Sequence, residues 1–405
     1  SLLNDTILSS YRSNFQSELQ TYNLENRLMW QHKFGKKGRT FSAMLSHEYS
    51  PTNAESSLGA IDASDAFTSA LDQISEQDQL NQSVGLRLDY TEPLTDKLML
   101  RLNYSPSLDM GSSEQLTFSY DSTSGLYNQV QSQLSNTFSS EYLLHEGGAG
   151  LMYRNGRKNF FLLNLNYQWA SFSTEQEFPQ AGQTQRNFNA ILPMAMWRSQ
   201  FSENSNLRLR LRARTSIPSI SQLQNVLDNT NPLQLSIGNP LLDQQYQYSL
   251  NARYSRTNPT SGSSLFFGMQ GSLINDYIGT STTIALSDTI TVSGVELSPG
   301  TQLSEPVNLD GYYNLSVFGT YGFPLSKIKS NLNLNLTAQY SRNPGILNRE
   351  LNYTANPSIG FGAVLSSNIS EKVDFTLSSN SSKTYSLSSL SPNQNTDYFN
   401  QSTTA

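Results

Sequence analysis

The chain has 405 residues, a net charge of −6 and no cysteine; the missing cysteine excludes a disulfide framework and thiol chemistry, and the acidic balance argues against nucleic-acid binding. Only 14% of residues are charged, too few for an ordinary soluble protein of this size, and 21 Tyr with 19 Phe are too many for a disordered one. No apolar run reaches the length of a membrane-spanning helix, a test that spanning strands escape because their signal is only an alternation.

In chain order, residues 1–20 are polar and unpatterned and read as a loop. Tyr22, Leu24, Leu28, Trp30 and Phe34 then share one parity, with Glu25, Arg27, Gln31 and Lys33 on the other. Gly35 to Gly38 forms a tight turn, and Phe41, Ala43, Leu45 and Tyr49 return on one face. A four-residue turn sets Trp30 opposite Ala43, Leu28 opposite Leu45 and Asn26 opposite His47. Residues 50–79 read as a long polar connection. A second hairpin carries Val84, Leu86, Leu88 and Tyr90, then Leu98, Leu100, Leu102 and Tyr104. The third, after a polar stretch at 114–140, carries Ala149, Leu151 and Tyr153, turns at 155–158, and returns through Phe161, Leu163, Leu165, Tyr167 and Trp169.

The fourth hairpin is read with Phe188, Ala190, Leu192, Met194 and Met196 outward, and Pro193 demands a bulge or an unpaired edge. Its return strand, N-L-R-L-R-L-R-A-R-T from Asn206, is the clearest in the chain. Leu207, Leu209, Leu211 and Ala213 alternate with Arg208, Arg210, Arg212 and Arg214, and only an extended strand sorts that pattern into two clean faces. A thirty-residue connection follows at 216–245. The fifth hairpin joins Tyr246, Tyr248, Leu250, Ala252 and Tyr254 to a strand over 265–278. The sixth joins 312–323 to Leu332, Leu334, Leu336, Ala338 and Tyr340. The seventh joins 359–368 to 373–379.

Short turns alternate with long polar loops, and Tyr49, Tyr104, Trp169, Tyr254 and Tyr340 sit at strand ends as an interfacial girdle would. The pattern predicts an all-β fold: a transmembrane antiparallel up-and-down β-barrel, with about fourteen strands in this chain. The apolar side faces lipid and the amide-rich side faces enclosed water. A soluble sandwich shares the alternation but predicts shorter strands and like loops at both ends.

Pro218-Ser219-Ile220-Ser221-Gln222-Leu223, then Asn231-Pro232-Leu233, then Gly238-Asn239-Pro240-Leu241-Leu242 form a more specific series. It resembles the outer loop of the TonB-dependent receptor-like outer-membrane β-barrel family of Bacteroidetes, related to SusC-type transporters. There a strand ends in P-S-x-x-Q-L, followed by N-P-L and G-N-P-x-L. The resemblance implies an outer-membrane location, a 22-stranded barrel, an N-terminal plug domain, energy from TonB through that plug, and a surface lipoprotein as a possible partner. It further implies import of a solute too large for passive pores: an oligosaccharide, a peptide or a chelate. No plug precedes Tyr22, and Ser1-Leu2-Leu3-Asn4 has no leader character. The expectation is therefore the barrel part of a longer gene product.

No cofactor motif, metal constellation or catalytic grouping stands out. His32, His47 and His145 are far apart in sequence, acids are scattered, and no nucleophile elbow or phosphate loop occurs. An enzyme is not expected. Arg208, Arg210, Arg212 and Arg214 are the lumen-facing candidates, either lining a path for anionic solutes or pairing with a plug or with neighbouring carboxylates. The 216–245 loop, with Pro218, Ser219, Gln222, Leu223, Asn231, Pro232, Gly238, Asn239 and Pro240, is a candidate cargo contact or simply a folded surface loop. The competing function is a surface scaffold or adhesion barrel that binds a partner protein without transport.

Overall fold

Extended backbone must be paired along its edges wherever water is absent. In the computed structural model this is met by one large sheet. The structure describes residues 2–3, 6–7, 9–64, 68–156, 158–370 and 373–405. Among them twenty-two strand segments join in a barrel wall. Several segments are halves of one crossing, as with Ser9–Thr21 and Leu24–Lys33, which lie end to end along Thr40–Ser64.

From Thr40–Ser64 the wall continues antiparallel through Thr68–Pro93, Leu98–Asp121, Asn136–Asn155, Asn159–Phe178, Gly182–Ser202 and Ser205–Ser216. It then takes Gln245–Asn258, Ser263–Asn275, Tyr312–Leu325, Ser330–Leu347, Ser358–Ser370, Val373–Ser388 and Thr396–Thr404. The strand order returns on itself as a closed barrel. Every residue of Leu24–Lys33 and of Thr396–Thr404 is exposed.

The turn-derived register of the first hairpin holds: Leu28 opposes Leu45, Trp30 opposes Ala43 and Asn26 opposes His47. The apolar outer side meets no second layer of protein. Leu165 is 56% exposed and Leu336 54%, while inward-facing Gln168 is 1% exposed. Outward leucines are absent from all three buried apolar clusters, which gather instead where the 216–245 segment meets the wall and neighbouring strands.

Several expectations fail in instructive ways. Ser9–Thr21 is a strand rather than loop, and residues 50–79 are not a connection. Thr40–Ser64 and Thr68–Pro93 run 25 and 26 residues, more than twice what a tilted spanning strand needs. Leu98–Asp121 and Asn136–Asn155 likewise enter the polar stretch at 114–140. Above the membrane both faces of a ribbon meet water, so the alternation fades while the backbone ladder continues. Arg157 and Glu371, at two of the expected turns, lie outside the described residues. A last strand, Thr396–Thr404, was not expected.

The facing of the fourth hairpin is inverted. Ala190, Leu192 and Met194 oppose Gln168, Asn166 and Asn164, and Met194 and Met196 oppose Arg212 and Arg210, so they face inward. Ile191, Pro193, Ala195 and Trp197 face outward with Tyr167, Leu165, Leu163 and Phe161. Both parities of 188–197 are apolar, leaving the alternation without a sign. Pro193 finds its unpaired edge: the ladder to Ser205–Ser216 starts at Met194 and does not include it.

The wall makes a direct test. Leu336→Arg on the outer face should cost about 2–4 kcal/mol of folding into a bilayer near its midplane, and the inward neighbour Asn335→Arg far less. Heat-modifiable gel mobility and a denaturant titration in liposomes read both; equal effects would refute the assigned facing.

Candidate functional site

The segment 217–244 folds back into one end of the barrel. It begins with a short helix, Ile220–Leu223, capped by a box in which Ser219 accepts from the Gln222 backbone N–H and the Gln222 side chain accepts from the Ser219 N–H at 3.0 Å. That is why Ser and Gln stand three apart in P-S-x-x-Q-L: each satisfies a helix-end group the other leaves open. Leu223 and Leu242, each 1% exposed, pack with Phe138, Tyr142, Ala170, Phe172 and Ile278. In N-P-L, Asn231 accepts from the Leu233 N–H at 3.2 Å. In G-N-P-L-L, a side chain at Gly238 would bring its Cβ 2.1 Å from the Gln224 carbonyl oxygen, so only glycine lets the two passes touch. Asn239 accepts from the Leu241 N–H at 2.9 Å and donates to the Pro306 carbonyl at 3.0 Å.

The insert is tied to the wall on several sides. Gln73 and Asn229 exchange amide hydrogen bonds at 2.8 and 3.2 Å. Gln234–Ile237 adds a parallel strand to Gln302–Leu309, and Leu235 and Ile237 bury with Leu297 and Leu303. Arg186 donates to the Leu241 carbonyl at 2.9 Å and pairs with Asp243 at 2.6 Å. Tyr246 donates to the Ile191 carbonyl, spanning the gap that opens beyond Pro193.

Next to it, the hairpin arms cross. Ser263–Asn275 lies between Gln245–Asn258 and Tyr312–Leu325, whereas its continuation Tyr277–Ile284 lies between Gln302–Leu309 and Ser330–Leu347. The exchange occurs at Asp276 (φ 51°) and Gly311 (φ 98°), both left-handed. Asn308 donates to the Asp243 and Asp276 carbonyls at 3.1 and 2.8 Å. Burial, then the charges of Asp310 and Asp243, push the Asp276 carboxyl above its usual range.

Between insert and wall lies a cavity of about 630 Å³. Gln73, Ser75, Gln77, Gln115 and Thr117 line it from the wall, and Ser221, Gln222, Gln224, Asp228 and Asn229 from the insert. Among the described residues its lining contains Asp228 and Glu305 but no Lys, Arg or His. Gln224 is 7% exposed and its amide nitrogen has no partner. The structure thus brings the three motif pieces into one folded body. It does not bring Arg208, Arg210, Arg212 or Arg214 to that cavity: their strand faces the lumen elsewhere. The wall amides and hydroxyls of the cavity were missed, since their strands read as connections; only their clustering at alternate positions (Gln73, Ser75, Gln77) hinted at one shared face.

His32 stacks on Trp30, His47 lies 3.3 Å from Gln82, and His145 lies 2.7 Å from the Tyr104 hydroxyl and beside Trp169. All three sit on the outer face. Among the described residues no group of His, Asp or Glu is arranged to hold a metal ion.

Apolar staves around a polar lumen, one end filled by a folded insert, define an outer-membrane β-barrel. The chain belongs to the outer membrane protein beta-barrel family, whose model matches residues 32–404. No curated protein sequence matches it. Among solved structures it is similar to the copper transporter OprC (9% identity, TM-score 0.49, covering 92% of this chain and 66% of that one). It is also similar to the Serratia marcescens hemophore receptor HasR (12%, 0.42, 93% and 68%) and the Yersinia pestis ferric yersiniabactin uptake receptor FyuA (7%, 0.40, 93% and 65%). At these scores the likenesses carry no argument about function, and the chain spans about two thirds of each of those proteins.

Two substitutions probe the site. Gly238→Ala should expose 217–244 to rapid proteolysis while leaving the heat-modifiable mobility of the wall unchanged; a protease-resistant insert would show that the close approach is unimportant. Asp276 carries a raised folded pKa, so its neutral form suits the fold and the penalty appears as pH rises through that pKa. Hydrogen-exchange protection of residues 277–309 should therefore fall from acid to neutral pH, and stay flat in Asp276→Asn, which also tolerates the left-handed backbone.

Proposed function

We propose that this chain is the barrel of a TonB-dependent importer for a large polar solute, an oligosaccharide, peptide or chelate. The observation that carries the proposal is the folded insert: it puts a sizeable polar cavity between 217–244 and the barrel wall, where a passive pore would be open. Ligand captured there lies at the mouth of a lumen lined by amides, hydroxyls and arginines. The wall's own role is passive, holding itself in lipid by its apolar face and hydrating the path by the other. Gating and energy coupling fall to a plug domain and TonB, and a surface lipoprotein would serve as lid.

The tall arms favour a second reading, a surface scaffold. Strands of 25 and 26 residues rise well above the membrane and offer a partner protein a rigid ledge. The two readings separate in one experiment. The chain has no native cysteine, so Gln73→Cys with Asn229→Cys places a unique pair across the insert–wall contact. A bis-maleimide cross-linker should abolish ligand uptake by cells, whereas with a bis-maleimide that carries an internal disulfide uptake should return once reductant is added. Uptake that persists with the insert locked would remove the importer reading and leave the scaffold.

A further inference from the structure

The wall strand that organises the sequence has charges that the fold leaves uncompensated. Arg198, Arg208 and Arg253 stand directly opposite one another on three adjacent strands. Arg210, Arg212 and Arg214 continue along the same inward face, about 7 Å from one to the next at strand rise. Like charges set directly across a sheet repel, and no carboxylate among the described residues lies within ion-pair distance of any of the six.

Other cations are treated differently. Inward-facing Arg87 and Arg101 share Asp89 at 2.8 and 2.5 Å, and Lys36 and Arg39, at the first turn, share Glu92, both at 2.7 Å. The unpaired six have only soft neighbours. Arg198 lies over Phe160 at 5.7 Å and Arg253 over Phe266 at 5.6 Å. Arg214 donates to Gln247 at 2.7 Å. The Arg198 Nε is enclosed with no partner among the described residues, and Arg208, Arg210 and Arg212 are exposed to the lumen. Among the described residues, then, no neighbouring carboxylate neutralises this strand.

We infer that this strip binds an extended polyanion: a chain solute bearing carboxylate, sulfate or phosphate groups at regular intervals. The inference rests on the importer reading and narrows its solute to an acidic one. Guanidinium groups fixed on a strand form a planar lattice of bidentate donors, the geometry that recognises anionic oxygens best. A basic wall of this kind also concentrates anions in the path. The cation-free cavity under the insert adds nothing to anion binding, so selectivity for charge falls to the strip.

The test uses the whole protein in zwitterionic detergent with two probes of equal length, hexagalacturonate and neutral maltohexaose, titrated calorimetrically over a salt series. Hexagalacturonate should bind at least about tenfold more tightly, its affinity falling with added salt as released counterions require. The triple variant Arg208→Gln, Arg210→Gln, Arg212→Gln should lose about tenfold or more and flatten the salt slope. Arg210→Gln alone, for which heat-modifiable mobility verifies the fold, should show part of the same loss. Equal binding of both probes, or a variant that binds as the parent does, overturns the inference. So does absence of hexagalacturonate binding, the strip then being covered by an acidic protein surface. Uptake by cells distinguishes the levels: import of maltohexaose with no preference for acid sinks the polyanion strip but spares the importer, whereas import of neither probe counts against both.

Discussion

Everything in this molecule depends on backbone hydrogen bonds that have no water to fall back on. In hydrocarbon each strand must find a neighbour on both edges, and that single demand sets the order, the antiparallel sense and the register of the wall. Side chains then need only choose a face. The aliphatic face is left bare of protein, and the opposite face supplies amides, hydroxyls and guanidinium groups to the lumen. The ordinary protein core is displaced to one end, where Leu223 and Leu242 of the insert meet Phe138 and Phe172 of the wall.

The division explains what could be read beforehand. Within the membrane a period of two is enforced by two different solvents, so the first hairpin's register, down to Asn26 opposite His47, followed from turn length alone. Above the membrane the enforcement lapses. Residues such as Gln73, Ser75 and Thr117 alternate with other polar groups, and strands looked like loops. At 188–197 the failure has the opposite cause: Ile191 and Leu192 are both apolar, and only the pairing with Tyr167 and Asn166 decides which faces lipid. The insert was legible as a motif, because Gly238, Ser219 and Gln222 each solve a local steric or hydrogen-bonding problem. What it touches was not, since Gln73 and Asn229 are 156 residues apart in sequence.

The insert and the arginine strip divide the lumen's chemistry between them. One is a hydrogen-bonding cavity that carries Asp228, Glu305 and an unsatisfied Gln224 amide. The other is a charged surface without counterions. A solute moving inward would leave the first for the second, so recognition by shape and hydroxyl pattern precedes recognition by charge.

The break at Pro193 gives the wall a mechanical grain. Residues 182–192 are zipped to Asn159–Phe178 on one side, whereas on the other they are held by side chains alone, Tyr246 on the Ile191 carbonyl and Arg186 on the end of the insert. A ladder resists sliding along its whole length; two side-chain clasps can be undone singly. Movement of the insert would therefore be felt first along this line, and the staves to either side would open like the jaws of a clip hinged in the membrane.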